Sequence, residues 1–190
     1  MKNIIAVVVL LGILFFSYRY QQAHHTFNPL TYEMQSNEGP VTLDDLRSKN
    51  KVILLYFGFL HCPDACPTTL ASMSTVIKDL PPEKRDQVAF VFVDLDPERD
   101  TLPEMKKYTE FFDKKIIPVS IPLKDLDKFT EKFGIVYMKA KITSKMDYTI
   151  DHSTDVIVMN KDGHLMSHIE HGSPKSVFID RINKTIEGKE

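Results

Sequence analysis

Three largely apolar runs along the chain predict strands that are buried on both faces. They are Val52–Phe59, Val88–Leu95 and Ile116–Ile121. Each run is short and rich in β-branched or aromatic residues, and none alternates regularly between apolar and polar positions. The pattern therefore predicts the interior strands of a covered sheet.

Helical spacing of apolar residues follows these runs. The predicted helices are Pro67–Leu80, Thr101–Phe112 and Leu126–Phe133. The first helix places four apolar side chains on one face, namely Leu70, Met73, Ile77 and Leu80. The second helix opens with Thr101 and Glu104, which form a capping-box pair, and Gly134 ends the third.

Two further segments near the end of the chain predict a β-hairpin and a closing helix. Asp155–Met159 and His164–Ile169 flank a turn at residues 160–163. Ser173 and Pro174 then predict the N-cap and the first residue of a helix. Strands that alternate with helices, followed by a hairpin and a helix, indicate an α/β domain with a central mixed sheet flanked by helices.

The N-terminal segment is of a different kind, because Ile4–Phe16 is unbroken apolar sequence between Lys2 and Arg19. Taken over residues 1–20, it approaches the length of a membrane span, so we expect a membrane anchor there. The alternative is a cleaved signal peptide. The predicted location is the inner (cytoplasmic) membrane, crossed once, with the soluble domain in the periplasm.

Composition narrows the class of protein. The chain has 190 residues and a formal net charge of −2, so it has no basic excess suited to nucleic acid. It shows no internal repeat and no glycine-rich nucleotide-binding motif. We expect residues 21–40 to form a linker and first strand, and residues 41–190 to form one domain.

The chain has only two cysteines, Cys62 and Cys66, directly after the first apolar run. Residues four apart lie on one face of a helix, so the two sulfurs could bind one metal ion or close a disulfide. Cys66 falls at the start of a predicted helix, where the helix dipole favours a thiolate. A thiolate is both a nucleophile and a soft metal ligand, and the spacing leaves both uses open.

Two thiolates leave a metal ion short of ligands, and His152 is the best third candidate among the seven histidines. It precedes the C-terminal hairpin, in a loop expected to lie against the cysteines. Imidazole with two thiolates suits copper, whereas a structural zinc site needs a fourth protein ligand. The alternative is a loop histidine that binds no metal. We expect His61 to point away from the site.

Three motifs carry a resemblance to a known family. Tyr56–Pro67 (YFGFLHCPDACP) resembles the signature of the Sco/SenC family of copper proteins. Asp96–Asp100 (DPERD) and Asp147–Ser153 (DYTIDHS) resemble two further motifs of that family. Their order and spacing agree over most of the chain, and an N-terminal membrane anchor is also usual in the family.

The resemblance implies a thioredoxin-like fold and one copper ion per chain, held by Cys62, Cys66 and His152. It also implies a copper metallochaperone that delivers copper to the binuclear copper site of cytochrome c oxidase, or reduces the cysteines of that site. Its partners would be the copper-site subunit of the oxidase, other periplasmic copper chaperones and thioredoxin-like reductants.

Other uses of the cysteine pair stay open at this point. A thiol-disulfide reductase would use Cys62 and Cys66 as a redox-active dithiol, with metal incidental. A redox or copper sensor would use the same pair. A peroxide-consuming enzyme of peroxiredoxin type is disfavoured, because no Thr lies three residues before either cysteine.

Several other residues are weaker candidates. Asp96 could act near the metal or bind a partner, although we expect it to shape its turn and pair with Arg99. Asp151 could orient His152. An accessory copper site could form near the last predicted strand, where we instead expect an exposed polar face; its residues are His164, Met166, His168 and His171. His24 and His25 belong to the predicted linker.

Overall fold

The computed structural model describes residues 11–13, 15, 27–142 and 147–189. The predicted membrane anchor lies almost entirely outside these residues, and so do His24 and His25. Within the described part of the chain, no helix is both long and apolar enough to cross a membrane. The anchor and its membrane therefore stay predictions.

Within the described residues, seven strands form one sheet in the order β2–β1–β5–β4–β3–β8–β9. The strands are β1 (Met34–Ser36), β2 (Gly39–Val41), β3 (Val52–Gly58), β4 (Val88–Asp94), β5 (Ile116–Ser120), β8 (Val156–Asn160) and β9 (Leu165–Ile169). The central strands β3, β4 and β5 are parallel, and both flanking pairs join them antiparallel. The predicted central mixed sheet is confirmed.

Helices cover this sheet and complete the core. They are α1 (Leu43–Lys49), α2 (Ala65–Asp79), α3 (Pro82–Arg85), α4 (Leu102–Phe112), α5 (Leu123–Glu131) and α6 (Lys175–Glu187). Every position of β3 and β4 is buried, which requires cover on both faces. Helix α2 packs against α4 and α6, and α6 also contacts β3 and β8. The apolar runs were therefore correctly interpreted as interior strands.

Three helix starts differ from the prediction, and one of them is α5, which begins at Leu123 and not at Leu126. Helix α2 begins at Ala65 and not at residue 67, so Cys66 lies within its first turn. At α6 the N-cap is Pro174 and not Ser173, and Pro174 makes no side-chain capping bond, so the predicted serine cap is wrong. The capping box of α4 is confirmed, because the Glu104 carboxylate accepts from both the backbone N–H and the hydroxyl of Thr101.

A separate two-stranded sheet was not predicted. It pairs β6 (Tyr137–Lys141) with β7 (Tyr148–His152), antiparallel and outside the main sheet. The residues expected to form a loop before the hairpin are therefore a strand, with His152 at its end. Three of the five residues of β6 are exposed, so the apolar pattern that reveals a buried strand is missing.

Candidate metal site

The two cysteines lie where β3 gives way to α2. The side chain of Cys66 is completely buried in the first turn of the helix, whereas Cys62 in the preceding loop is partly exposed. The backbone N–H of Cys66 donates to the sulfur of Cys62 over 3.4 Å. Both thiols are free, and the helix start directs unpaired backbone donors toward the sulfur outside it.

Gly58, the last residue of β3, makes room for the buried thiol. A Cβ atom at this position would lie 2.6 Å from the Sγ of Cys66 and 2.8 Å from the ring of Phe92. Both distances are far inside van der Waals contact, so a larger residue would force the sulfur or the ring to move. The close approach of strand and sulfur requires glycine here.

His152 reaches the cysteines from the small sheet. Its ring lies edge-to-face with Tyr56 and Phe59, at centroid distances of 6.5 and 5.9 Å. Its Nδ1 lies 2.7 Å from the carbonyl oxygen of Ser153, which can only accept a hydrogen bond. Nδ1 therefore carries the proton, and the lone pair of Nε2 faces Cys66 Sγ at 3.7 Å. This tautomer is the one that binds a metal through Nε2.

The donor atoms of Cys62, Cys66 and His152 all lie within 4.8 Å of one another. No second group of three or more His, Cys, Asp or Glu that could hold a metal ion occurs in the described part of the chain. Metal–sulfur and metal–nitrogen bonds are about 2.0–2.3 Å long, so only a small approach would bring all three donors onto one ion. Two sulfurs and one imidazole suit a soft ion.

The two thiols share their protons unequally. The Cys66 thiol donates a hydrogen bond to Cys62, and the backbone N–H groups of Cys66 and Asp64 add to it, so the pKa of Cys62 falls well below its usual value although burial opposes the shift. The pKa of Cys66 rises, first because its proton is held in that bond and second because the side chain is buried. The pair therefore favours the thiolate at the partly exposed Cys62, and binding of a metal to both sulfurs displaces the proton that remains.

Two tyrosine hydroxyl groups near the sulfurs are buried, those of Tyr56 and Tyr108. The hydroxyl groups of Tyr56 and Tyr108 have no hydrogen-bond partner among the described residues. Burial raises the pKa of both phenols, and the negative charge of the cysteine pair raises it further. Both therefore stay neutral, and a neutral phenol disturbs the charge of a metal–thiolate site less than a phenolate would.

Three residues of this site have roles that the sequence did not indicate. Gly58 and Tyr56 lie inside the motif around the cysteines, but their packing against Cys66 depends on how α2 meets β3. Ser153 holds the imidazole by its backbone carbonyl, which leaves no signature in side-chain pattern. Their motif positions were the only available signal.

Asp96 has the turn-shaping role that the sequence predicts, whereas Asp151 does not orient His152. Asp96 pairs with Arg99 over 2.5 Å, and its carbonyl accepts from the backbone of Arg99 and Asp100, as expected for a turn-shaping residue. Asp151 is exposed and adjoins His152 in a strand, where neighbours point to opposite faces. The imidazole is instead held by Ser153, so the suggestion that Asp151 orients it is wrong.

Three other histidines, His61, His168 and His171, lie beside polar side chains outside the metal-ligating group. The Nδ1 of His168 lies 3.9 Å from Asp155, and the Nδ1 of His171 lies 3.1 Å from the hydroxyl of Thr69. His61 is about half exposed, with its Nδ1 3.5 Å from Asp100, and does not join the metal-ligating group. The structure gives no support to an accessory copper site on β9.

Comparison with known proteins agrees with this geometry. A family model described as SCO1/SenC matches residues 22–187. The chain belongs to the SCO1/SenC family. The SCO2-like protein of Rickettsia felis is 31% identical over 151 residues, which are 77% of this chain and 72% of that protein. The mitochondrial SCO2 homolog of Homo sapiens is 32% identical over 133 residues, 70% of this chain and 50% of that protein.

Solved structures of SCO1/SenC proteins share the fold. The copper-bound crystal structure of ScoI from Arabidopsis thaliana superposes with a TM-score of 0.74 at 27% identity, over 83% of this chain and 96% of that one. Copper-bound ScoI from Bradyrhizobium japonicum gives 0.71 at 29% identity, over 81% and 96%. The thioredoxin-like fold expected from the family resemblance is thereby supported. The chain spans about half to two thirds of the length of the first curated relatives it matches.

Proposed function

We propose that this protein is a copper metallochaperone that binds one copper ion through Cys62, Cys66 and His152. The observation that carries the proposal is the convergence of these two sulfurs and one imidazole nitrogen within 4.8 Å. Thiolate and imidazole are the ligands that soft copper prefers. Two structural relatives in the SCO1/SenC family hold copper, which adds support from outside the chain.

The acceptor we propose is the binuclear copper site of cytochrome c oxidase, as the family resemblance implies. The partner would be the oxidase subunit that carries this site, and periplasmic copper chaperones or thioredoxin-like reductants would supply copper or electrons. In this account the protein is held in the inner membrane by its N-terminal segment, with the described domain in the periplasm.

The asymmetry of the cysteines gives a route for ligand exchange. Cys62 is partly exposed and carries the thiolate, so an acceptor thiolate can approach the copper from its side first. Cys66 is completely buried, so its bond to copper is the one best shielded from an incoming ligand. Loading displaces the proton from Cys66, and release of copper lets the proton return.

A second candidate function is a thiol-disulfide reductase that acts on the cysteines of the same copper site. The observation that favours it is that the partly exposed sulfur of Cys62 accepts the backbone N–H of Cys66 at the start of α2, which stabilises the thiolate that attacks in disulfide exchange. Cys66 lies in the same group of donor atoms and would resolve the mixed disulfide. The two functions share the cysteines and differ in their need for His152.

Replacement of His152 separates the two functions. The variant His152→Ala removes one metal ligand and neither thiol. We expect copper transfer to a purified oxidase copper-site domain to fall sharply, because weaker binding lets copper escape to competing chelators. The rate of exchange with a small disulfide should stay close to that of the unchanged protein. Both are measured on one reduced preparation.

The matched control is His164→Ala, which removes an exposed imidazole that is not part of the metal-ligating group. It should leave both copper transfer and disulfide exchange unchanged. If His152→Ala transferred copper normally, the metallochaperone proposal would be wrong, and the reductase would become the better account.

A further inference from the structure

The strand that carries His152 needs to be held in place by side chains. It belongs to the small β6–β7 sheet, which, among the residues that the structure describes, forms no ladder with the main sheet. A two-stranded hairpin is only marginally stable by itself in water. The position of the imidazole therefore depends on contacts that join this hairpin to the body of the domain.

One such connection is a part-buried cluster of Asp96, Arg99 and Tyr148. Another is the exposed hydrogen bond from the hydroxyl of Tyr137 on β6 to Asp127 on α5. Tyr148 begins β7, and its hydroxyl donates to Asp96 Oδ1 over 2.7 Å. Arg99 donates from Nε to Asp96 Oδ2 over 2.5 Å and from a terminal nitrogen to the carbonyl oxygen of Tyr148 over 2.9 Å. Its guanidinium also lies 3.6 Å from the centre of the Tyr148 ring.

The chemistry of the cluster favours a single arrangement. The side chain of Asp96 is completely buried, so loss of its partners would leave a charge in the interior. The guanidinium satisfies the carboxylate, the strand carbonyl and the aromatic face at once, which only the planar fork of arginine can do. Hydrogen bonds to charged groups are also stronger than neutral ones.

A second, exposed contact reinforces the same connection. Lys139 on β6 forms an ion pair with Glu98, which lies between Asp96 and Arg99 in the chain. Its ammonium nitrogen is 4.5 Å from the centre of the Tyr148 ring, so the ring has cations near it from both the loop and the hairpin. The loop after β4 thus contacts both strands of the hairpin.

We propose that Asp96, Arg99 and Tyr148 form a clamp that positions His152 for copper binding without touching the metal. This inference rests on the proposed copper site. Tyr148 and His152 are four residues apart on one strand, so their side chains point to the same face of β7. The clamp fixes one end of that strand and thereby keeps Nε2 of His152 within reach of the sulfurs.

Loosening the clamp should weaken copper binding by lowering the fraction of molecules in which His152 is in place. Tyr148→Phe removes the hydroxyl bond to Asp96 but keeps the ring under Arg99. Arg99→Lys keeps the charge but loses the planar fork. We expect each variant to bind Cu(I) about tenfold more weakly and to release it correspondingly faster, because one charge-assisted hydrogen bond is worth about that factor.

The test compares Cu(I) affinity and dissociation rate of the reduced full chain in two backgrounds. In the unchanged background, Tyr148→Phe and Arg99→Lys should show the loss. In the His152→Ala background the same two substitutions should change affinity less than about twofold, because the clamp acts only through that imidazole. The matched control is Tyr32→Phe, which removes a tyrosine bond to Asp125 on α5 and leaves the bonds among Asp96, Arg99 and Tyr148 in place.

The outcomes separate the clamp from the site itself. Normal affinity in both clamp variants would overturn the clamp. An equal loss in the His152→Ala background, or an equal loss in Tyr32→Phe, would also overturn it, because the effect would then be a general loss of stability. If the unchanged chain did not bind copper, or His152→Ala bound it equally well, the proposed copper site would fail and the clamp with it.

Discussion

At the scale of single residues, Cys62 and Cys66 have different roles because their surroundings differ. Cys62 is partly exposed and accepts hydrogen bonds, whereas Cys66 is buried and donates one. The sequence predicted both as ligands but gave no order between them, since burial of a thiol depends on how α2 packs on β3. This difference decides which sulfur an incoming partner meets first.

Gly58 gives a direct test of the packing around Cys66. We expect Gly58→Ala to destabilise the fold by roughly 1–3 kcal/mol, because the new methyl group would overlap both the sulfur and the Phe92 ring. It should also weaken copper binding by displacing Cys66. Chemical unfolding and a copper titration measure the two effects.

The control is to repeat Gly58→Ala in a Cys66→Ala background. Removal of the sulfur abolishes the contact at 2.6 Å and leaves only the one with Phe92 at 2.8 Å. The penalty in unfolding free energy should therefore be smaller in this background. An equal penalty would show that the glycine is not needed to accommodate the thiol.

The raised pKa of Asp94 predicts that the free energy of unfolding depends on pH. It is fully buried at the end of β4, and burial raises its pKa to about 8, although the backbone N–H of Asp96 and the hydroxyl of Ser120 donate to it. The folded state therefore holds a proton that the unfolded state loses near pH 4. Its contribution to stability is present at low pH and is lost as pH rises from about 4 to about 8.

The variant Asp94→Asn keeps the shape of the protonated acid and cannot ionise. We expect it to match the unchanged protein near pH 4 and to exceed it by at most about 5 kcal/mol near pH 8. The measurement is a series of denaturant unfolding curves across this range. A difference in unfolding free energy that does not grow with pH would contradict the assignment of a raised pKa.

At the scale of elements, the predictions were correct for segments whose apolar pattern marks them as buried. The apolar runs at β3 and β4 and the helix face of Leu70, Met73 and Ile77 are buried as expected. Strand β6 is mostly exposed and therefore lacks the apolar pattern of a buried strand. Helix α3 has only four residues, too few to show a helical period. The small sheet is fixed by side chains from distant loops, which local pattern does not encode.

The small β6–β7 sheet should also be more mobile than the seven-stranded sheet. We expect amide hydrogens of β6 and β7 to exchange faster than those of β3 and β4, because the hairpin is a separate two-stranded sheet joined to the domain by side chains. Copper should slow exchange in β7 in particular, since the hairpin must release the metal before it opens. Hydrogen exchange of the reduced protein with and without Cu(I) measures both effects.

The edge strand β9 is the internal control, because it does not contribute a ligand to the site. Its exchange should change less than that of β7 when copper is added. If β7 were already as protected as β3, or if copper left its exchange unchanged, the hairpin would not be coupled to the metal site in the way described.

At the scale of the whole molecule, the site joins residues 86 positions apart in the chain. Spacing pointed to the cysteine pair and left His152 as one candidate among several. The family resemblance selected it, and the fold shows how it arrives, because β8 lies antiparallel beside β3 and brings the end of β7 to the start of α2. The position of His152 beside the cysteines depends on the order and direction of the strands, which local periodicity does not reveal.

The most direct test of the central claim is a copper titration of the same protein in its reduced and disulfide-bonded forms. The reduced form should bind one copper ion per chain, and Cu(II) should give a strong sulfur-to-copper charge-transfer band, which thiolate ligation produces. A disulfide between Cys62 and Cys66 removes both thiolates, so the oxidised form should bind at least about a thousandfold more weakly, or roughly 4 kcal/mol. Equal copper affinity in the two forms would show that the cysteines are not ligands and would contradict the account.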